Sequence, residues 1–223
     1  MNDRETILAS IQEALKKPSV KQDVYKAEDN TSELIKQAMP PVGESFNERL
    51  TLFKKNAQEL KAEFYAVNSI EEVVQTILKI KDADQWKSIA THPNELTESV
   101  CNRIGLPILK LTPGYNVMDF EKCSASITVC DCLVAQTGSV VVSSACTGGR
   151  AISVLPPHHI VIAKKEQLVP TMLDAIALVK NRYNGKFPSM ISFITGPSRT
   201  GDIERILVLG AHGPKKLTIF LIL

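Results

Sequence analysis

Short apolar runs alternate with helically spaced apolar residues along much of this chain. The runs Phe64–Val67, Ser88–Thr91 and Ile108–Leu111 have the length of buried strands, and the intervening segments Ile70–Lys81 and Glu95–Ile104 repeat apolar residues every three or four positions. Strands that alternate with helices in this way are typical of a parallel sheet with crossover helices. The pattern therefore predicts an α/β fold with three layers, α/β/α, around a mainly parallel sheet.

Two adjacent strand-like runs interrupt this alternation in the middle of the chain. Ser126–Ala135 and Ser139–Ser144 are rich in aliphatic and β-branched residues, and only Gln136–Gly138 separates them. Two such runs joined by a short glycine-containing segment predict a β-hairpin inserted into the fold. A further strand, Ile160–Ala163, and a helix from about Gln167 to Tyr183 are predicted after the hairpin.

The C-terminal pattern predicts a strand, a turn, a helix and a final strand. Ile191–Ile194 is a short apolar run, and Gly196 allows a tight turn after it. Thr200 can accept a hydrogen bond from the first N–H groups of a helix, and Gly210 can end that helix in the left-handed conformation. We therefore expect Ile191–Ile194 and the terminal strand Lys216–Leu223 to lie in one parallel sheet.

The N-terminal region has a different character. Arg4–Lys17 has the spacing of a short amphipathic helix, whereas Pro18–Pro41 is polar and contains several prolines, as linkers do. A second amphipathic helix, Ser45–Glu63, is expected to pack on the core. The sequence thus predicts an N-terminal helix and linker arm over residues 1–43 and one domain over residues 44–223.

Composition and charge exclude several classes of protein. The 223 residues carry a net charge of +2 with both signs interleaved, and 5% of them are aromatic, so we expect no nucleic-acid partner. The longest apolar run, Leu217–Leu223, is too short to span a membrane. Five cysteines and an N-terminus unlike a secretory signal predict reduced thiols and a cytoplasmic location.

Several motifs occur in a fixed order in the second half of the chain: Asp131–Ser139, Gly148–Arg150, Leu155–Ile160, Thr195–Glu204 and Gly210–Lys215. Together they resemble the LUD domain family, and most closely its lactate utilisation protein C branch. The resemblance implies the fold shared by ribose-phosphate isomerase, glucosamine-phosphate deaminase and CoA-transferases. It also implies an accessory subunit that helps to oxidise L-lactate to pyruvate in the cytosol. The iron–sulfur clusters would lie in partner subunits, and this chain would bind no cofactor.

Asp131 is the one candidate for a catalytic residue. It lies among aliphatic residues of a predicted strand, and a buried carboxylate must be paired, hydrogen-bonded or protonated. It either holds the Thr137–Gly138 turn through backbone N–H groups or serves a functional site. The neighbouring Cys130 and Cys132 lack the usual spacing of a metal-binding pair, so we expect buried thiols and no metal.

Topology suggests two groups of candidate site residues. The turns after parallel strands lie at the carboxyl edge of the sheet, where ligands of α/β proteins bind, and the segments that enter strands lie at the amino edge. A carboxylate or phosphorylated small molecule is a possible ligand of the first group. The second group could bind an anion, a metal or a partner, or its residues could simply cap and stiffen loops. The carboxyl-edge candidates are Thr137, Gly138, Gly196, Ser198, Arg199 and Thr200, and the amino-edge candidates are Arg150, His158, His159, His212 and Lys215.

Two further functions stay open at this stage. One is a free-standing enzyme or binding protein that acts on a sugar phosphate or a CoA ester, by analogy with proteins of similar fold. The other is a ligand sensor or scaffold whose N-terminal helix, Arg4–Lys17, binds a partner. Standard phosphate-binding, nucleophile and zinc motifs are missing from the sequence, so no reaction can be assigned to this chain alone.

Overall fold

The computed structural model describes residues 3–16, 33, 38–112, 114–201, 207–210 and 212–223. The chain divides into two compact units, residues 1–40 and 41–223. In the first unit, helix α1 spans Asp3–Lys16, which confirms the predicted N-terminal helix. Most of the predicted linker Pro18–Pro41 lies outside the described residues, and the predicted domain boundary between residues 43 and 44 stays a prediction.

The described residues of the second unit form alternating helices and strands. Its helices are α2 (Phe46–Glu59), α3 (Ile70–Ala83), α4 (Glu95–Cys101), α5 (Val117–Glu121) and α6 (Met172–Arg182). Its strands are β1 (Glu63–Val67), β2 (Ile89–Thr91), β3 (Ile108–Lys110), β4 (Ala125–Val129), β5 (Cys132–Val134), β6 (Ser139–Ser143), β7 (His158–Lys164), β8 (Leu168–Val169), β9 (Ile191–Ile194), β10 (Arg199–Gly201), β11 (Leu207–Leu209) and β12 (Lys216–Ile222). Within the described part of the chain, no helix is long and apolar enough to cross a membrane.

A six-stranded parallel sheet forms the centre of this unit. Its strand order is β1-β12-β7-β4-β2-β3, and every neighbouring pair runs in parallel. Its central strands are buried on both faces because helices cover both sides, as parallel sheets require. Helix α2 packs Phe53 and Ala57 on one face, and α3 packs Val73 and Ile77 on the other. The predicted three-layer α/β fold is confirmed.

A second, smaller sheet contains the predicted hairpin. Its order is β8-β5-β6-β9, and β6 runs antiparallel to both β5 and β9. Gly138 closes the β5–β6 turn with a positive φ of 66°, and its N–H donates to the carbonyl of Val134 at 2.9 Å. The hairpin is therefore confirmed, but the run Ser126–Ala135 is divided, because its first half, β4, stays in the parallel sheet while its second half joins the smaller one.

The predicted C-terminal unit is wrong in two respects. Ile191–Ile194 pairs with β6 in the smaller sheet and does not lie beside the terminal strand β12. The residues predicted as a helix between Thr200 and Gly210 instead form an antiparallel pair, β10 and β11, although residues 202–206 lie outside the described residues. Gly210 does adopt a positive φ of 77°, but it ends a strand, and its N–H donates to the carbonyl of Ser198. Thr200 and Gly210, which the sequence suggested as helix caps, thus lie in and directly after the antiparallel pair β10–β11.

Candidate ligand-binding crevice

The crevice lies where the path of the chain through the parallel sheet changes direction. From β2 the chain continues to β3 on one side, whereas from β4 it continues through the hairpin to β7 on the other side. Strands β2 and β4 are neighbours, so their carboxyl ends lie together. Open α/β sheets bind ligands at this kind of point, because the two connections diverge and leave a gap. His92 follows β2 and Cys130 follows β4, so they mark the crevice.

The larger of two cavities in this crevice is a cleft of about 880 Å³. Its walls are the segments that leave β4, β7 and β12, together with the first turn of α4 and the end of α6. Its charged lining is balanced among the described residues, because Arg182 is paired with the buried Asp131 carboxylate and two lysines remain against two carboxylates. The cations are Lys164, Lys165 and Arg182, and the carboxylates are Glu95 and Glu166.

Asp131 lies beside this cleft and is fully buried. Its Oδ1 accepts a hydrogen bond from Nη1 of Arg182 at 2.9 Å and one from the hydroxyl of Tyr183 at 2.8 Å. The Tyr183 hydroxyl also lies 3.0 Å from Oγ of Ser143. This pairing gives Oδ1 of the buried carboxylate two partners, whereas Oδ2 has no hydrogen-bond partner among the described residues. The sequence predicted that Asp131 could hold the Thr137–Gly138 turn. Its carboxylate instead faces the end of α6, where it accepts from Arg182 and Tyr183.

Burial and the Asp131 charge also govern the nearby thiols. Burial raises the pKa of both Cys132 and Cys146 to about 12, and it raises that of Cys130 well above the usual value. These thiols therefore stay protonated at neutral pH, whereas nucleophilic attack needs the thiolate. All five cysteines are unpaired. Within the described residues, no group of three or more histidine, cysteine or acidic side chains is arranged to hold a metal ion.

The smaller cavity, of about 360 Å³, is the His92 pocket; Cys146 separates it from the larger cleft and lines both. His92 is only 2% exposed, and neither ring nitrogen has a hydrogen-bond partner among the described residues. Burial lowers the pKa of His92 to about 4, so the ring is neutral at pH 7, with one donor and one acceptor. The pocket is lined by His92, Pro93, Leu111, Thr112, Tyr115, Ala145, Cys146 and Gly148.

Gly148 brings the chain close to His92. Its φ is +72°, and a Cβ atom at this position would lie 2.9 Å from Cδ2 of Leu111 and 3.8 Å from Cβ of His92. A hollow next to the pocket shares Tyr115 and Gly148 with it and is also lined by Arg150, whose Nη2 donates to the carbonyl of Ser189 at 2.9 Å. Arg150 is thus at the carboxyl edge. Its predicted place at the amino edge is wrong, because the chain passes His92 before it turns back toward β7.

Comparison with known proteins identifies the family. A protein of Anoxybacillus flavithermus named lactate utilization protein C is 32% identical over 186 residues, which cover 81% of this chain and 83% of that protein. A protein of the same name from Halalkalibacterium halodurans is 28% identical over 221 residues, with 95% and 94% covered. The LUD domain model matches residues 116–222. The chain belongs to the LUD domain family. The matched region contains Asp131, Arg150 and Arg182, whereas His92 precedes it.

Other LUD relatives align over shorter segments. The Bacillus subtilis lactate utilization protein C is 39% identical over 109 residues, which is 48% of this chain and 45% of that protein. In that alignment the chain spans less than half of its relative. The crystal structure of a DUF162 family protein from Deinococcus radiodurans superposes with a TM-score of 0.63 at 19% identity, covering 81% of this chain and 99% of that one. This likeness shows the fold alone.

In this LUD protein, the predicted carboxyl-edge residues lie together but at the other edge. The hydroxyls of Thr137, Ser139 and Thr195 form a chain with distances of 2.7 and 2.8 Å. A Cβ at Gly196 would lie 2.6 Å from the carbonyl oxygen of Leu60, just before β1, and the N–H of Ser198 donates to Pro214, just before β12. Gly196 and Ser198 therefore lie at the amino edge of the parallel sheet, because β9, which precedes them, belongs to the smaller sheet. Gly138 packs against α2, Arg199 is exposed, and the Thr200 side chain lies outside the described residues.

The predicted amino-edge histidines are present there but do not converge. His158 and His159 are buried and point to opposite faces of β7. Nε2 of each lies 2.8 Å from a threonine hydroxyl, that of Thr218 for His158 and that of Thr128 for His159. Burial lowers the pKa of His158 to about 4 and that of His159 to about 3. His212 and Lys215 are exposed in the segment before β12. This geometry favours a structural role for the two buried rings.

Sequence reasoning missed the residues that line the crevice of this LUD protein. His92, Tyr115, Arg182 and Tyr183 were not selected, although Ser88–Thr91 was predicted as a strand and His92 follows it directly. The turn after a buried parallel strand was the available signal for His92. Nothing in the sequence indicated that the end of α6 would supply the partners of Asp131, because 51 residues separate Asp131 from Arg182.

Proposed function

We propose that this chain takes part in lactate utilization as a subunit of a cytosolic system that oxidises L-lactate to pyruvate. The observation that carries this proposal is the similarity to a protein named lactate utilization protein C over 81% of this chain and 83% of that relative. The carboxyl-edge crevice supports it, because it provides cavities of a size suited to small molecules.

We further propose that iron–sulfur clusters belong to partner subunits and that this chain binds no cofactor. The described cysteines support this division. Cys130 and Cys132 lack the usual spacing of a metal-binding pair, and within the described residues no group of three or more histidine, cysteine or acidic side chains is arranged to hold a metal ion. In this arrangement the chain contributes a binding crevice and docking surfaces, and the electrons leave through the partners.

A genetic experiment tests the role in the cell. Deletion of the gene should abolish growth on L-lactate as sole carbon source and leave growth on pyruvate intact, and a plasmid copy should restore it. Normal growth of the deletion strain on L-lactate, with no second copy of the gene, would contradict the proposal.

A reconstitution experiment tests the division of labour. The purified chain should be colourless and should not reduce an artificial electron acceptor with L-lactate, whereas addition of the purified iron–sulfur subunits should give activity. Rapid lactate oxidation by the chain alone would rule out an accessory role.

A second candidate function follows from two lysines in the larger cleft. Lys164 and Lys165 line it, and lysine is a side chain that binds phosphate groups. A free-standing protein that binds a sugar phosphate or a CoA ester would be stabilised against heat by that ligand. A thermal-shift screen with both ligand classes, L-lactate and pyruvate distinguishes the two functions, because each predicts stabilisation by a different class.

A further inference from the structure

Helix α1 is exposed along its whole length. It spans Asp3–Lys16, and every residue from Arg4 to Lys16 is exposed. A helix of 14 residues is only marginally stable in water by itself, because most of the stability of protein helices comes from the packing of one apolar face. An element that covers an apolar face of α1 would therefore stabilise it.

Four large apolar side chains form one stripe along α1. Ile7, Leu8, Ile11 and Leu15 follow helical spacing, so they fall within about 100° of one another around the helix axis. Their exposed fractions are 60%, 48%, 50% and 79%. Together they expose on the order of 400 Å² of apolar surface, which equals the largest patch on a typical monomeric protein, and such patches are often functional. We call these four residues the α1 stripe.

Two opposite charges beside the α1 stripe are placed symmetrically about its centre. Glu5 and Lys16 are separated by close to three full helical turns, so both lie on the same side of the stripe, one near each end. The midpoint between them falls between Ser10 and Ile11, and Ile11 is also the midpoint of the stripe. In an antiparallel pair of α1 helices, Glu5 of each copy would lie beside Lys16 of the other, and the two Ile11 side chains would meet at the centre.

This charge pattern selects the antiparallel orientation. A parallel copy would place Glu5 beside Glu5 and Lys16 beside Lys16, and like charges at such a contact repel. A partner with a different sequence would not require opposite charges at equal distances from the centre of the α1 stripe. The surface of α1 is thus complementary to itself in apolar area and in charge.

We propose that α1 binds a second copy of this chain as an antiparallel helix pair. The two α1 stripes pack on each other about a two-fold axis near Ile11, and two Glu5–Lys16 ion pairs flank the contact. Two helices of this length bury less area than a standard interface, which buries about 800 Å² per partner, so the dimer should be weak, with a Kd on the order of 10 to 100 µM. The inference is independent of the proposed function, since it concerns contact between copies of the chain.

Sedimentation equilibrium of the purified full chain tests whether it self-associates. A reducing agent is present throughout, because all five cysteines are unpaired and could otherwise link copies covalently. Between about 1 and about 500 µM, the weight-average mass should rise from that of one chain, 24.5 kDa, toward twice that value. A mass that stays at 24.5 kDa over this range would overturn the inference, because the α1 stripe would then serve a different surface.

One substitution at the centre of the α1 stripe tests whether α1 forms the contact. Ile11→Glu places two carboxylates against each other at the two-fold axis and should weaken self-association at least about tenfold. Ala9→Glu adds the same charge on the opposite side of α1, and Ile176→Glu replaces an isoleucine of α6 that is 45% exposed; both should associate as the wild type does. Self-association that survives Ile11→Glu, or that falls equally in all three variants, would contradict an interface through α1.

Charge-reversal variants test the antiparallel orientation. Glu5→Lys and Lys16→Glu, each alone, should weaken self-association about fivefold or more at low salt, because both ion pairs become pairs of like charge. An equimolar mixture of these two variants should associate as well as the wild type, since each introduced lysine then meets a glutamate of the other variant. Single variants that associate like the wild type, or a mixture that does not recover, would rule out the antiparallel pair.

Discussion

Nη1 of Arg182 lies 2.9 Å from Oδ1 of Asp131, and this contact joins the last residue of α6 to the chain segment between the two sheets. The carboxylate is fully buried, whereas 40% of the arginine side chain is exposed. Arg182 therefore stays partly hydrated, whereas the Asp131 carboxylate that it neutralises has no contact with water. The pair stabilises the wall of the larger cleft, and its removal has a defined consequence.

Replacing Arg182 with methionine should destabilise the protein by about 3 kcal/mol, because the variant leaves a buried charge without its ion-pair partner. Urea denaturation at pH 7 measures the free energy of unfolding. The matched control is Arg103→Met, which removes an exposed pair with Glu71 at 2.8 Å and should cost less than about 1 kcal/mol. Similar losses in the two variants would mean that burial of Asp131 does not decide the energy of its ion pair.

Replacing Tyr183 with phenylalanine should cost about 1 to 2 kcal/mol. The change removes the donor to Asp131 and the contact with Ser143 but leaves the ring in place. Because Tyr183 and Arg182 share one acceptor atom, the double variant should depart from the sum of the two single effects by at least about 0.5 kcal/mol. Tyr65→Phe, in a tyrosine stacked on Phe220, provides the comparison. Strict additivity would argue against a shared network.

Stability should fall as the solution is acidified below about pH 6.5. Burial lowers the pKa of His92 and His158 to about 4 and that of His159 to about 3, whereas the unfolded chain titrates near 6.5. The unfolded state therefore binds more protons in this range, so the stabilisation is present above pH 6.5 and is lost as the pH falls toward the folded values. Each such ring contributes up to about 1.4 kcal/mol per pH unit.

The variant His159→Gln should make this pH dependence shallower by the contribution of one ring. Urea denaturation between pH 7 and pH 4.5 gives the slope. His212→Gln is the control, because His212 is exposed and should leave the slope unchanged. An unchanged slope in His159→Gln, with the fold intact, would mean that His159 is protonated in the folded state as readily as in the unfolded state.

Two glycine variants separate backbone strain from steric contact. Gly185 and Gly138 both have positive φ, but a Cβ at Gly185 meets nothing within 4 Å, whereas one at Gly138 would lie 2.7 Å from the backbone nitrogen of Ala57. Gly185→Ala should cost about 1 kcal/mol from strain alone. Gly138→Ala should cost about 1 to 3 kcal/mol more, because α2 must move away from the hairpin. Thermal unfolding measures both, and equal effects would contradict the close contact.

The hydrophobic pattern predicted the parallel sheet well because burial on both faces leaves continuous apolar runs. Ile89–Thr91, Ile108–Lys110 and the terminal strand were all found where those runs lie. The C-terminal helix was predicted incorrectly, since Thr200 and Gly210 are equally suited to cap a helix and to bound a hairpin. Local signals do not report which distant strand will supply hydrogen bonds, and that choice decides between the two structures.

The sequence by itself determined the fold class, the hairpin around Gly138 and the family resemblance, because these depend on periodicity, turn chemistry and ordered motifs within short stretches. Only the tertiary structure decided which edge each motif occupies and which side chains share a pocket. His92 and Tyr115 line one pocket because β2 and β4 are neighbours and Gly148 permits a close approach, and Arg150 lines the hollow beside it. Such meetings depend on strand order and on packing between residues distant in the chain, and neither is encoded in local pattern.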